Sequence, residues 1–169
     1  MNEGLLLLRV VFGLMMAAHG AQKLFGWFGG HGLNGTAAFM EGLAFRPGRL
    51  FATMAAGSEI VSGVLMFLGL LGPVGPALMV SVMVVAAISV HWKNGLFAAA
   101  GGIEVALLYG IAAAALTLMP PGRYSLDAVL RLTSLWTPAI NWLALGLGIV
   151  AGIANLLLQR PPAVVEVPA

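Results

Sequence analysis

Six ionisable side chains fall inside long apolar stretches or at their ends: Arg9, His19, Lys23, Glu59, His91 and Glu104. An ionisable group at the centre of a membrane-crossing helix costs roughly 2.5 to 3.5 kcal/mol on insertion scales, so each of these needs a partner or a task. Two carboxylates, two imidazoles and an amine can pass protons, bind the polar head of a small molecule, or neutralise one another. His19 and Lys23 stand one helical turn apart, and Arg9, 14 residues before Lys23, returns to within about 40° of the same helix face. The start of the chain therefore carries one polar stripe on an otherwise apolar helix.

The elements that must position these residues are long apolar windows. Span-sized windows run over 4–28, 50–71, 74–91 and 96–119, with a further one at Pro138 to Leu158, and about 20 apolar residues suffice to cross the hydrocarbon. The expected fold is all-α: an integral membrane helical bundle with a four-helix core in a domain over 1–135. An additional C-terminal transmembrane helix is expected over 136–160, followed by a disordered tail over 161–169. On this reading Glu59 lies nine residues into the second span and Glu104 eight into the fourth, about 12 to 13 Å deep in both cases. Those two helices begin on one side of the membrane, and the stretches ending in His19-Lys23 and His91 approach the same side. Small residues (Ala52, Ala56 and Gly63 on the Glu59 face, Gly101 one turn before Glu104) let neighbouring helices close on the carboxylates.

Two readings follow. In one, His19, Lys23, Glu59, His91 and Glu104 line a polar pocket that binds a ligand or relays protons. In the other, the carboxylates neutralise Lys23, Arg9 or protonated His19 in buried pairs that fix helix register. Arg9, Arg123 and Asp127 are the further candidates for charge pairing.

Composition narrows the function classes. Hydrophobic residues make up 60% of the 169 positions and charged ones 8%, with a mean hydropathy of +1.00, against about 45 to 50% apolar and 25% charged in soluble domains. A net charge of +2 without a basic cluster argues against nucleic acid as a partner. The absence of cysteine removes disulfides, iron–sulfur clusters and thiolate metal sites from the chain. No metal site is expected, and the 9 methionines read as helix packing. The first twenty residues imitate a secretory signal, but Glu3 and the intruding Arg9 argue for a retained helix.

The punctuation between windows is specific. Gly29-Gly30-His31-Gly32 breaks the first helix, 36–43 suits a short amphipathic interfacial helix, and Gly72-Pro73-Val74-Gly75-Pro76 forces the second and third spans into a hairpin. Trp27, Trp92 and Trp136 suit the interface, and Ser125 or Asp127 suits a helix N-cap. In a five-span arrangement Lys23, Arg46, Arg49, Lys93 and Arg160 share one side, with Arg9, Arg123 and Arg131 on the other. The positive-inside rule makes the first side cytoplasmic.

The segments Leu8-Arg9-Val-Val-Phe-Gly13, His19-Gly-Ala-Gln22-Lys23-Leu-Phe-Gly-Trp27-Phe-Gly-Gly30, Glu59 with Gly63, Leu68-Gly69-Leu-Leu71, His91, Glu104 and Pro121-Gly122-Arg123-Tyr-Ser125-Leu-Asp127 carry a resemblance. Together they resemble the DoxX family of small bacterial and archaeal membrane proteins, from about Leu5 to Asp127. The resemblance implies a helical bundle in the bacterial cytoplasmic (inner) membrane. It also implies association with quinone-linked membrane oxidoreductases, since the family takes its name from a subunit associated with a terminal quinol oxidase.

Three functions compete. The leading one is a redox-associated subunit whose pocket binds a quinone headgroup, working with redox-complex subunits or as a homo-oligomer in the lipid bilayer; haem on His19 and His91 is the less favoured cofactor. The second is a small-molecule transporter, for which intramembrane carboxylates facing cations are equally suited. The third is a non-catalytic membrane scaffold whose charges serve packing alone.

Overall fold

The computed structural model describes residues 2–160; the tail expected to be disordered, 161–169, lies outside the described residues. The described chain is built of helices. Those in order are α1 (Asn2–Phe25), α2 (Gly32–Gly42), α3 (Gly48–Leu68), α4 (Val74–Ala86, continued by a π-helical turn Ala87–His91), α5 (Glu104–Leu118), α6 (Leu126–Val129) and α7 (Pro138–Leu156).

Their boundaries follow from local chemistry. Helix α1 stops at Gly26, whose φ of 75° starts the glycine-rich turn. Helix α3 ends at Gly69 in the left-handed region, where the Leu70 amide donates to the Leu65 carbonyl (3.0 Å) and closes the last turn. The link of Gly72 and Pro73 then reverses the chain into α4, as the sequence requires. Helix α6 is capped by Ser125, whose Oγ accepts from the Ala128 amide, and α7 by Thr137 ahead of Pro138.

Glycines set the helix spacing. A Cβ on Gly20 would stand 2.7 Å from the Ala56 carbonyl oxygen, and one on Gly63 would stand 2.5 Å from that of Gly13, so α1 and α3 meet backbone to backbone. Gly148 does the same for α7 against Ala77 of α4, at 2.5 Å from its carbonyl oxygen. The buried cluster Leu5, Met16, Met66, Met79, Val80, Ala113, Leu116 and Leu145 joins α1, α3, α4, α5 and α7 into one bundle.

The outer faces are apolar: Leu7 and Leu14 on α1, Leu108 and Ile111 on α5, and Trp142, Leu143 and Val150 on α7 are exposed. Such faces have lipid as their solvent, since the helices satisfy their own backbone groups. Among the described residues four helices are long and apolar enough to cross a membrane: Asn2–Phe25, Gly48–Leu68, Val74–Asn94 and Pro138–Leu156.

The helix expected over 96–119 is shorter. Gly95 and Gly101 take φ of 80° and 77°, and the segment between them folds into turns whose Leu96 carbonyl accepts from the Glu104 amide (2.8 Å). Helix α5 therefore has 15 residues, about 22 Å, and starts at Glu104. The carboxylate expected well inside a span sits instead at a helix N-terminus.

Candidate functional site

At the end of the bundle where α1 and α4 finish and α3 begins, five helices enclose a cavity of about 250 Å³. One wall is apolar and aromatic: Phe39, Met40 and Leu43 from α2 and the turn after it, Phe45, and Phe51 and Met54 from α3. Val82, Val85 and Ala86 of α4 continue it. Polar groups interrupt this lining at Lys23, Ser58, Glu59, Ser81, Ser89, His91 and Asn155.

The strongest electrostatic feature is an ion pair between Lys23 of α1 and Glu59 of α3, with the lysine Nζ donating to Glu59 Oε1. Glu59 is only 3% exposed and Lys23 29%, so the cation keeps a route towards the interface that the carboxylate lacks. Glycine packing brings the two together: at Gly20, one turn before Lys23, α1 approaches α3 at Ala56, one turn before Glu59. The second oxygen, Glu59 Oε2, is buried and has no hydrogen-bond partner among the described residues. A carboxylate has room for several donors, so Oε2 is an unfilled acceptor in a residue that lines the cavity.

His91 closes the cavity at the end of the π-helical turn. Its Nδ1 stands 2.7 Å from the Gly101 carbonyl oxygen; the carbonyl can only accept, so Nδ1 carries the proton and Nε2 is the acceptor of the neutral ring. His19 is arranged likewise, with Nδ1 at 2.8 Å from the Met15 carbonyl oxygen. Its ring lies edge-on to Tyr109, 6.1 Å between centroids, and does not line the cavity. Glu104 does not line it either: its Oε2 accepts from the Ala98 amide at 2.7 Å and ties the 95–103 turns to the start of α5. Of the five pocket candidates, the structure brings Lys23, Glu59 and His91 to one cavity and leaves His19 and Glu104 outside it. The two histidines thus share no common cavity as a pair of haem ligands would. Among the described residues no group of three or more His, Cys, Asp or Glu could hold a metal ion.

The charge-pairing candidates occupy the opposite end of the bundle. Arg9, 4% exposed, donates to the carbonyl oxygens of Pro121 and Tyr124, both at 2.7 Å. Asp127, fully buried, accepts from the amides of Leu71 (2.9 Å) and Gly72 (2.6 Å) and from Trp136 Nε1 (2.7 Å). Both residues converge on Gly69, against which the Arg9 guanidinium packs and whose carbonyl accepts from the Asp127 amide. The terminal nitrogens of Arg9 and the oxygens of Asp127 are held chiefly by backbone, while Arg9 Nε is buried without a partner among the described residues, and the cluster forms a structural clasp on the α3–α4 hairpin. Arg123 is exposed, lies over the Tyr124 ring and pairs with Glu3 at 3.7 Å. Trp136, expected at the interface as an anchor, turns its indole against Gly72 within the same clasp.

A family model described as DoxX matches residues 4–92, just over half of the chain. The chain belongs to the DoxX family. No curated protein and no solved structure matches it.

The DoxX match covers α1 to α4 and includes every residue lining the cavity except Asn155. The pocket is thus an attribute of the segment that defines this DoxX protein, and α7 adds one polar wall residue from outside it. The polar lining residues Ser58, Ser81, Ser89 and Asn155 and the π-helical turn Ala87–His91 escape sequence reasoning. Ser89, two residues before His91 in an apolar run, was the only available signal, and a π-turn has no residue pattern of its own; such turns frequently mark functional sites.

Proposed function

We propose that this DoxX-family membrane protein binds the hydroxylated ring of a quinol in the Lys23–Glu59–His91 cavity, as a redox-associated subunit of the bacterial cytoplasmic membrane. The observation that carries the reading is Glu59: a 3%-exposed carboxylate in the cavity lining, with one oxygen held by Lys23 and the other buried without a partner among the described residues. A ring hydroxyl fits that acceptor, and the Phe39, Phe45 and Phe51 wall fits the ring's faces. A bound quinol supplies two-electron, two-proton chemistry. Glu59 orients the hydroxyl and is the group placed to take its proton, while Lys23 balances the carboxylate's charge. His91 Nε2 is a second acceptor at the cavity's edge. On this reading the quinol's two electrons would pass to an oxidant carried by a partner subunit.

The cavity lies at the membrane side that carries Lys23, Arg46, Arg49, Lys93 and Arg160, which the positive-inside rule makes cytoplasmic. The test is solvent extraction and chromatography of detergent-purified protein, alongside its oxidised and reduced visible spectra. Stoichiometric quinone in the wild type, lost from Glu59→Gln, supports the reading; a quinone-free protein that also fails to take up added quinol overturns it.

A further inference from the structure

The helical threonines bond locally, whereas the cavity-lining serines Ser58, Ser81 and Ser89 make no side-chain hydrogen bond among the described residues. Thr36, Thr53 and Thr117 each donate to the carbonyl four residues back, at 2.8 Å in all three cases, and Ser62 reaches the Gly75 carbonyl at 2.7 Å. That local bond is the default for a serine or threonine inside a helix. Of the three cavity-lining serines, Ser89 is the one whose unpartnered Oγ is buried.

Ser89 is the middle residue of the π-helical turn Ala87–His91, a backbone insertion of the kind that frequently marks a functional site. The same turn lets Ser89, Val90 and His91, three consecutive residues, all line the cavity. Ser89 stands on the π-helical continuation of α4, whereas the other buried unpartnered polar atom among the lining residues, Glu59 Oε2, stands on α3. Val82, Val85 and Ala86 add apolar surface to the same cavity. A buried hydroxyl with no bond is a standing penalty unless a bound molecule relieves it.

We infer that the cavity has two polar stations, Glu59 with Lys23 and Ser89, and that it selects rings bearing oxygen at two positions over rings bearing one. This rests on the quinol-binding reading above and sharpens it: Ser89 is the specificity-determining residue for the second ring oxygen. Its hydroxyl can donate to that oxygen or accept from it, so both the quinone and quinol forms satisfy the station.

The probes are 1,4-dihydroxybenzene and 4-methylphenol, which share shape and differ only at the second substituent. Their dissociation constants are measured by tryptophan fluorescence titration of the detergent-solubilised full chain, as wild type, Ser89→Ala and Glu59→Gln. Comparing the ratio of the two constants between variant and wild type in the same detergent cancels the difference in the probes' partition. Ser89→Ala is expected to shift that ratio about five- to tenfold against the dihydroxy ring, the worth of one neutral hydrogen bond, while leaving 4-methylphenol binding unchanged. Glu59→Gln should weaken both probes alike. An unchanged ratio in Ser89→Ala, with Glu59→Gln still weakening both, overturns the second station and leaves the quinol pocket standing. Failure of the wild type to bind either probe overturns both.

Discussion

Removing Lys23 should harm this protein far more than removing the charge of its partner. Glu59 is 3% exposed and its Oε2 is already bare, so Lys23→Met strips the only hydrogen bond the carboxylate has and leaves an uncompensated charge among helices. Breaking a buried pair in this way costs about 3 to 5 kcal/mol, and because Lys23 is 29% exposed the lower end, about 3 kcal/mol, is the expected loss. Glu59→Gln is different: the amide oxygen still accepts from Lys23, and the lysine can extend its ammonium towards the interface. Its expected loss is under about 1 kcal/mol. The double variant, Lys23→Met with Glu59→Gln, removes the orphaned charge and should recover about 2 kcal/mol relative to Lys23→Met alone. Reversible unfolding of the purified protein in mixed detergent and dodecyl sulfate micelles reads all three. Equal losses in the two single variants, or simple additivity in the double, would refute the reasoning that the carboxylate is the dependent partner.

At the other end of the bundle, Asp127→Asn leaves one acceptor oxygen for three donors and should destabilise by about 2 to 4 kcal/mol in the same unfolding measurement, since the lost bonds are charge-assisted and buried. Gly63→Ala places a methyl 2.5 Å from both the Ala17 amide nitrogen and the Gly13 carbonyl oxygen, which are backbone atoms of α1; the α1–α3 pair must separate, with an expected loss of about 1 to 3 kcal/mol. Because the chain has no cysteine, single cysteines report sidedness directly. Lys93→Cys should react with a membrane-impermeant maleimide only after cells are permeabilised, and Arg131→Cys in intact cells; the reverse pattern would invert the orientation.

Much of this architecture is legible in the sequence. The helical hairpin follows from Gly72 and Pro73, and the close approach of α1 and α3 follows from small residues sharing a face with Glu59, because both depend on local residue chemistry. Glu104 marks where that legibility ends. The apolar run Leu96–Ala100 reads as helix in a hydropathy window, which weighs transfer energy and ignores backbone conformation, yet Gly101 and Gly102 follow it and the turns close there. A glycine pair inside an apolar window was the signal that the helix starts later. His19 shows a second limit. Spacing places it on one stripe with Lys23, but a 100° step does not say which neighbour each position meets, and His19 meets Tyr109 while Lys23 meets Glu59. The opposite charges Arg9 and Asp127 invite direct pairing on paper; in the folded chain both are consumed by backbone groups around Gly69, a partner set that no sequence pattern displays.

The central claim is that Glu59 Oε2 is the acceptor for a ring hydroxyl. The most direct test is the affinity of a short-tailed quinol for the purified wild type and for Glu59→Gln, with unfolding measured in parallel to show that both are folded. A hydrogen bond to a charged group is worth about 1.5 to 3 kcal/mol, so the account predicts a loss of about tenfold or more in the variant. Equal affinity in two folded proteins would contradict it.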